Sequence, residues 1–225
     1  MGVQVSQLKL QYFNLVSPVI LPVILALELG GVDYVATKVE FADWPTVKAT
    51  TPTGALPVAQ LSDGMIVVES GAISRGAAAA SGMLGEGANY LKSEMLMGMS
   101  GDLNKKVLAV APTVFNIAAW TPEQTEKAKT ETLPDVLAHV ALFVQFLLPA
   151  GDRFTESGQS LGEVDLFAKL FCLKAAFPQL VEADLKAFYD RVAALPAVVK
   201  FNAGETQWGS MPLFVCAFPE APAAV

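Results

Sequence analysis

Histidine, cysteine and charge are all scarce in this chain. There is one histidine, His139, and it sits in an apolar helical pattern. A His-rich metal site is therefore excluded, and His139 reads as a core or edge residue. The two cysteines, Cys172 and Cys216, stand far apart with no CxxC spacing, which suits a reducing compartment. Charged residues make up only 16%, with 15 Lys and Arg against 22 Asp and Glu. The longest basic run is Lys105-Lys106. Nucleic-acid binding is disfavoured, because phosphate contacts need concentrated Lys and Arg.

What is present in quantity is apolar surface, 53% of 225 residues. That supports one large domain or two small ones with a sizeable core, and it argues against disorder. The run "LQYFNLVSPVILPVILAL", Leu10 to Leu27, carries no charge between Lys9 and Glu28. A membrane span needs about 20 apolar residues. Pro18 and Pro22, with Gln11, Asn14 and Ser17, argue against one. A secretory signal would need a basic start and a small-residue cleavage site, and Lys9 and "ALELGG" supply neither well. Tyr12 lies inside this run, and the question is whether its phenol does chemistry or merely packs.

The periodicities predict an order of elements. "LKLQYFNL" reads as a strand. Pro18 fits the first turn of a following helix, closed by Gly30-Gly31, with Pro22 in or near that turn. Every face of this helix is apolar, so it should be buried on most sides. "VDYVATKVEF" is a second strand and "DWPTVKATTPTG" a loop or short irregular helix. "ALPVAQL" and "MIVVES" form a hairpin around the Asp-Gly turn of "SDG". An alanine-rich helix, "SGAISRGAAAASGML", follows. From Tyr90 on the pattern is helical, at roughly 90–111, 122–148, 163–176, 182–195 and 197–202. A thioredoxin-like α/β half (1–84) followed by an all-α half (90–225) is the expected architecture.

The stretch "VEFADWPTVKATTPTGALPV" resembles the glutathione transferase family, its sigma-like branch in particular. The likeness extends to "ESGAISR", "GDLNK" and "DLKAFYDRVAALPAVVKF". It implies a glutathione transferase fold, a cytoplasmic homodimer, glutathione as co-substrate with no cofactor or metal, and no membrane or nucleic-acid partner. It also assigns residues. A cis bond at Leu56–Pro57 would leave the Leu56 backbone free to pair with the cysteinyl part of glutathione, like an added strand; the alternative is an edge strand with an ordinary proline. Glu69 and Ser70, where a strand hands over to a helix, would hold the γ-glutamyl ammonium and carboxylate. The other reading is plain capping by Ser70. Trp44 and Lys48 would reach the glycyl carboxylate; the alternative is a tryptophan packed on its loop. Asp102, on a helix face similar to that of Glu94, would reach a neighbouring subunit's ligand; the alternative is a solvated helix carboxylate. In "SLGEVDLFAKLF", Asp165 would cap toward the Gly162 N–H.

The chemistry implied is thiol activation. A free thiol ionises near about 8.5, and a hydroxyl donating to the sulfur favours the thiolate. Tyr12 is the sigma-like donor. Ser17 is the rival, because "SPVILPVILAL" also resembles serine-type classes. No cysteine precedes the helix, which disfavours the cysteine-type classes. The chain departs from the sigma-like pattern at Val16, Pro18 and Ile20, where charged residues are usual, at Ala55, where a glutamine contacts the peptide, and at "RGAA", Arg75–Ala78. Glutathione conjugation to apolar electrophiles is the expected function, with Met95, Met97, Met99 and Phe115 as pocket candidates. A non-catalytic binding or structural protein and a glutathione-dependent isomerase are the alternatives.

Overall fold

Leu8–Phe13 forms the first strand, β1, in a computed structural model that describes residues 8–108, 121–174, 181 and 184–212. Tyr34–Val39 (β2) runs parallel to it, Val58–Leu61 (β3) antiparallel to it, and Ile66–Val68 (β4) antiparallel to β3. The sheet order is β2-β1-β3-β4. The hairpin turn between β3 and β4 falls at Asp63-Gly64 as expected. Gly64 takes φ 88°, and the Met65 N–H donates to Asp63 Oδ1 at 2.9 Å. Helices α1 (Leu21–Gly30), α2 (Trp44–Lys48) and α3 (Ser70–Ser81) complete a thioredoxin-like half.

Helix α1 buries every side chain from Leu21 to Leu27, as its uninterrupted apolar sequence requires. It packs against α3, and against α7 and α9 of the second half. Gly31, left-handed at φ 59°, ends it. The start differs from expectation. Pro18 lies in a turn ahead of the helix, and Pro22 occupies the first turn proper. The reason is that Pro22 has no N–H to give the Pro18 carbonyl. Regular bonding can start only where that missing donor falls among the free N-terminal groups. Among the described residues, no helix is long and apolar enough to cross a membrane.

The second half contains α4 (Gly87–Leu108), α5 (Pro122–Lys127), α6 (Leu133–Val144), α7 (Leu161–Lys174), α8 (Lys186–Ala193) and α9 (Pro196–Asn202). The single helix expected over 122–148 is interrupted. Ala128–Thr132 widens into a π-helical segment, and α6 stops at Val144. Pro134 accounts for the widening: a proline inside a helix removes one donor and crowds the carbonyl four residues back.

The cap of α7 is also corrected. Asp165 does not reach the Gly162 N–H, which donates instead to Ser93 Oγ at 2.9 Å. The reciprocal box is Ser160 with Glu163. The Ser160 N–H and hydroxyl donate to Glu163 Oε2 at 3.1 and 2.9 Å, and the Glu163 N–H donates back to Ser160 Oγ at 3.4 Å. Asp165 lies further along the buried helix, where it accepts from Ser100 Oγ and Lys169 Nζ.

Burial raises the Cys172 thiol and the phenols of Tyr12, Tyr34 and Tyr189, the last to about 12, and in each case it is the largest cause. The folded state thus keeps these protons beyond the pH at which the unfolded chain, with ordinary values of 9.0 and 10.0, gives them up. Their contribution is complete below pH 9 and is lost as pH rises through 9 and 10 toward about 12. Melting temperature is therefore expected to fall steadily on the alkaline side. A melting temperature unchanged between neutral pH and about 11 would contradict this, since the unfolded phenols and thiol are ionised by then.

Candidate active site

The sheet register brings the sequence-predicted residues of the first half to one end. Gln11 lies opposite Val58, and Val58 opposite Val68. One step further along each strand stand Tyr12, Pro57 and Glu69. They occupy the carboxyl end of β1, the entry to β3 and the exit of β4. The Leu56–Pro57 bond is cis, and Pro57 directly precedes the first β3 residue.

Glu69 adopts φ 71° and ψ 116°, the positive-φ residue other than glycine among those described. Such a conformation costs about 1–3 kcal/mol and clusters where a ligand or switch needs it. It turns the chain sharply from β4 into α3. The Glu69 carbonyl accepts from the N–H groups of Ala72 and Ile73 at 3.0 and 3.1 Å. The Glu69 side chain makes no capping bond, and the Ser70 carbonyl accepts from Ser74 Oγ at 2.9 Å. The alternative reading of Ser70 as a plain cap therefore has no bond behind it among the described residues. The positive end of α3 stays open to an anion.

Trp44 opens α2, a single turn, and packs edge-on against Phe13 with ring centroids 5.0 Å apart. Phe13 also stacks on Phe41 at 5.0 Å and meets Tyr12 edge-on at 5.5 Å. Trp44 is thus half-buried on an aromatic cluster that continues to Tyr12. Lys48 is exposed at the other end of the turn, with its stem beside Gly54. Ala55 is exposed and Leu56 half-buried.

Tyr12 and Ser17, offered by the sequence as rivals, are hydrogen-bonded. Tyr12 Oη and Ser17 Oγ lie 3.0 Å apart, with the residues 6% and 5% exposed. Burial raises the phenol above its ordinary value, the Ser17 bond partly offsets this, and the nearby Cys172 thiol adds to the rise. Tyr12 therefore stays protonated, and so remains a donor, throughout the neutral range.

Asp102 sits apart from these residues. Its side chain is 61% exposed and pairs with Lys105 Nζ at 3.0 Å, which lowers its carboxyl below the usual range. The expectation that it shares a helix face with Glu94 needs correction. Glu94 turns toward α3, where both its oxygens take Arg75, at 3.2 Å from Nε and 2.7 Å from Nη2. Eight positions on an α-helix return about 80° out of phase. Nothing in the sequence pattern marked Arg75–Glu94 as a tie between the halves, since the two residues lie on separate helices. Met95, Met97 and Met99 are half-buried on α4, whereas Phe115 lies outside the described residues. His139 is an edge residue, its Nε2 2.8 Å from the Met99 carbonyl oxygen. Among the described residues, no group of three or more His, Cys, Asp or Glu is placed to hold a metal ion.

No family model matches the chain. Individual proteins do. It is 31% identical over 164 residues to a probable glutathione S-transferase 7 of Caenorhabditis elegans, covering 68% of this chain and 77% of that one. It is 28% identical over 201 residues to the hematopoietic prostaglandin D synthase of Gallus gallus, covering 84% and 92%. The crystal structure of the glutathione S-transferase from Ascaris lumbricoides superposes with TM-score 0.77 at 21% identity, covering 89% and 98%. With the thioredoxin-like half, the helical half and the site at the end of β1, these define the class. The chain belongs to the glutathione S-transferase family. It is an enzyme of that family, and its general reaction is glutathione transfer.

Proposed function

We propose that this is a sigma-like glutathione S-transferase that conjugates the glutathione thiolate to apolar electrophiles. A glutathione-binding domain (1–84) and a helical domain forming the electrophile pocket (90–225) divide the work. The reading rests on one observation: Tyr12, the cis Leu56–Pro57 entry and the Glu69–Ser70 corner share one end of the sheet. In it, the Leu56 backbone pairs with the cysteinyl unit and Ser70 with Glu69 takes the γ-glutamyl end. Trp44 and Lys48 take the glycyl carboxylate, and Ala55 adds no side-chain contact. Tyr12 donates to the sulfur. Asp102 acts across a homodimer, in the cytoplasm, in a detoxifying role.

The experiment is retention on immobilised glutathione, then turnover of a chlorodinitrobenzene-type electrophile by the parent and Tyr12→Phe. Loss of one good donor to the thiolate is worth about one pKa unit, so roughly tenfold slower turnover at neutral pH is expected. Parental turnover by Tyr12→Phe would remove Tyr12 from the mechanism. A second reading, a glutathione-dependent isomerase, is favoured by the similarity to the Gallus gallus prostaglandin D synthase. Glutathione-dependent formation of prostaglandin D by the parent, without net consumption of glutathione, would distinguish it.

A further inference from the structure

We propose that Ser17 is a positioning residue that donates its hydroxyl proton to Tyr12 Oη, leaving the phenol proton free for the glutathione sulfur. This rests on the reading of Tyr12 as the donor to the thiolate. The 3.0 Å separation fixes the bond but not its direction, because either oxygen can give the proton. An isolated pair would run the other way. A phenol is far more acidic than an alcohol, so it would donate to the serine and its proton would be turned away from any ligand.

The surroundings of Ser17 reverse that preference. Its Oγ also lies 3.3 Å from the Val19 N–H and 3.4 Å from the Ile20 N–H. A hydroxyl has two acceptor sites and one donor. With both acceptor sites facing backbone N–H groups, the capacity left to Ser17 is donation, and Tyr12 Oη is its partner. Polarisation then runs in one direction, from the turn ahead of α1 through Ser17 to Tyr12. Each bond in such a chain strengthens the next.

The turn is held at both sides. The Leu21 N–H donates to the Ser17 carbonyl at 3.1 Å, and the Val16 N–H donates to the Pro212 carbonyl at 2.9 Å. No charged residue lies between Lys9 and Glu28. The Cys172 thiol on α7 is the titratable neighbour that acts on Tyr12, and exposed Lys38 stands opposite Tyr12 in the β1–β2 register. The local segment therefore supplies a hydroxyl, not a cation, to bias the phenol.

The test titrates the ultraviolet thiolate absorbance of bound glutathione in the parent, Tyr12→Phe, Ser17→Ala and the double variant. Ser17→Ala is expected to raise the apparent thiol pKa by a fraction of the roughly one unit lost in Tyr12→Phe, because the phenol remains as a donor and only the polarisation passed through Ser17 is removed, with KM for glutathione unchanged. In the Tyr12→Phe background the same substitution should add nothing, because a residue acting through Tyr12 has nothing left to act on. An equal shift in both backgrounds would mean that Ser17 reaches the sulfur itself, and would overturn the proposal. So would a lowered thiol pKa in Ser17→Ala, which would show the phenol donating to serine. If Tyr12→Phe leaves the thiol pKa at the parental value, the reading of Tyr12 fails first, and the failure is identifiable as such. Should Ser17→Ala not fold, Ser17→Cys, a near-isostere with a weak donor, is expected to raise the pKa in the same direction. A parental value in that variant would overturn the proposal.

Discussion

Glu163→Ala is expected to lower the melting temperature by about 6–20 °C, the largest effect of any single change proposed. The carboxylate is fully buried. It takes the Phe154 N–H at 2.8 Å, the Thr155 N–H at 3.4 Å, the Thr155 hydroxyl, and the Ser160 N–H and hydroxyl. Arg191 Nη2 stands 3.6 Å from the same group. Alanine leaves these donors without an acceptor and the guanidinium without its counter-charge. Breaking a buried charged network costs about 3–5 kcal/mol. At about 2–4 °C per kcal/mol for a chain of this length, that gives the stated range. Glu163→Gln should fall between, since its amide oxygen still accepts while its NH2 opposes a donor. Thermal denaturation followed by circular dichroism measures all three. A shift of under about 3 °C for alanine would be too small for any broken buried network.

Gly162→Ala is also expected to destabilise the fold, for a steric reason. A Cβ built at Gly162 would stand 2.2 Å from the Ser93 carbonyl oxygen and 2.8 Å from its carbonyl carbon. The obstacle is backbone on α4, so no side chain can rotate away and the two helices must part. Replacing glycine in a helix by alanine ordinarily gains about 1 kcal/mol. Overpacking costs about 1–3 kcal/mol, and more against a rigid wall. The steric term should therefore win. Gly98→Ala on α4, where an added Cβ meets nothing within 4 Å, is the control and should be stabilising. Denaturant midpoints of the two variants should shift in opposite directions; a shared direction would refute the clash.

Both positions show what a sequence reveals and what it withholds. "SLGE" carries the capping pattern in plain form, yet Asp165 drew the assignment because it fits the family's pattern. The Ser160–Glu163 box is local, at the spacing of three that the pattern shows; what no local spacing contains is the approach of α4, whose Ser93 hydroxyl takes the Gly162 N–H. The first half was more legible. The Asp63-Gly64 turn and the glycines after α1 act through their own φ angles, and the apolar run of α1 could only be interior. The exact start of α1 was not legible, because either Pro18 or Pro22 could occupy a first turn. Tyr12 and Ser17 looked like competing donors because the sequence separates them by a strand end and a turn. Their hydrogen bond exists only once that turn has folded back on β1. The Glu69–Ser70 corner was found by resemblance; its positive φ is a backbone property that no residue type announces.

The seven buried residues Leu21–Leu27 of α1 have a consequence for biosynthesis. One side of that helix is covered by α7, whose residues leave the ribosome long after α1 has emerged. Domains generally fold in order during translation, but here the early half has a bare oily flank until Leu161–Lys174 arrives. The nascent chain should therefore depend on chaperone shielding in that interval.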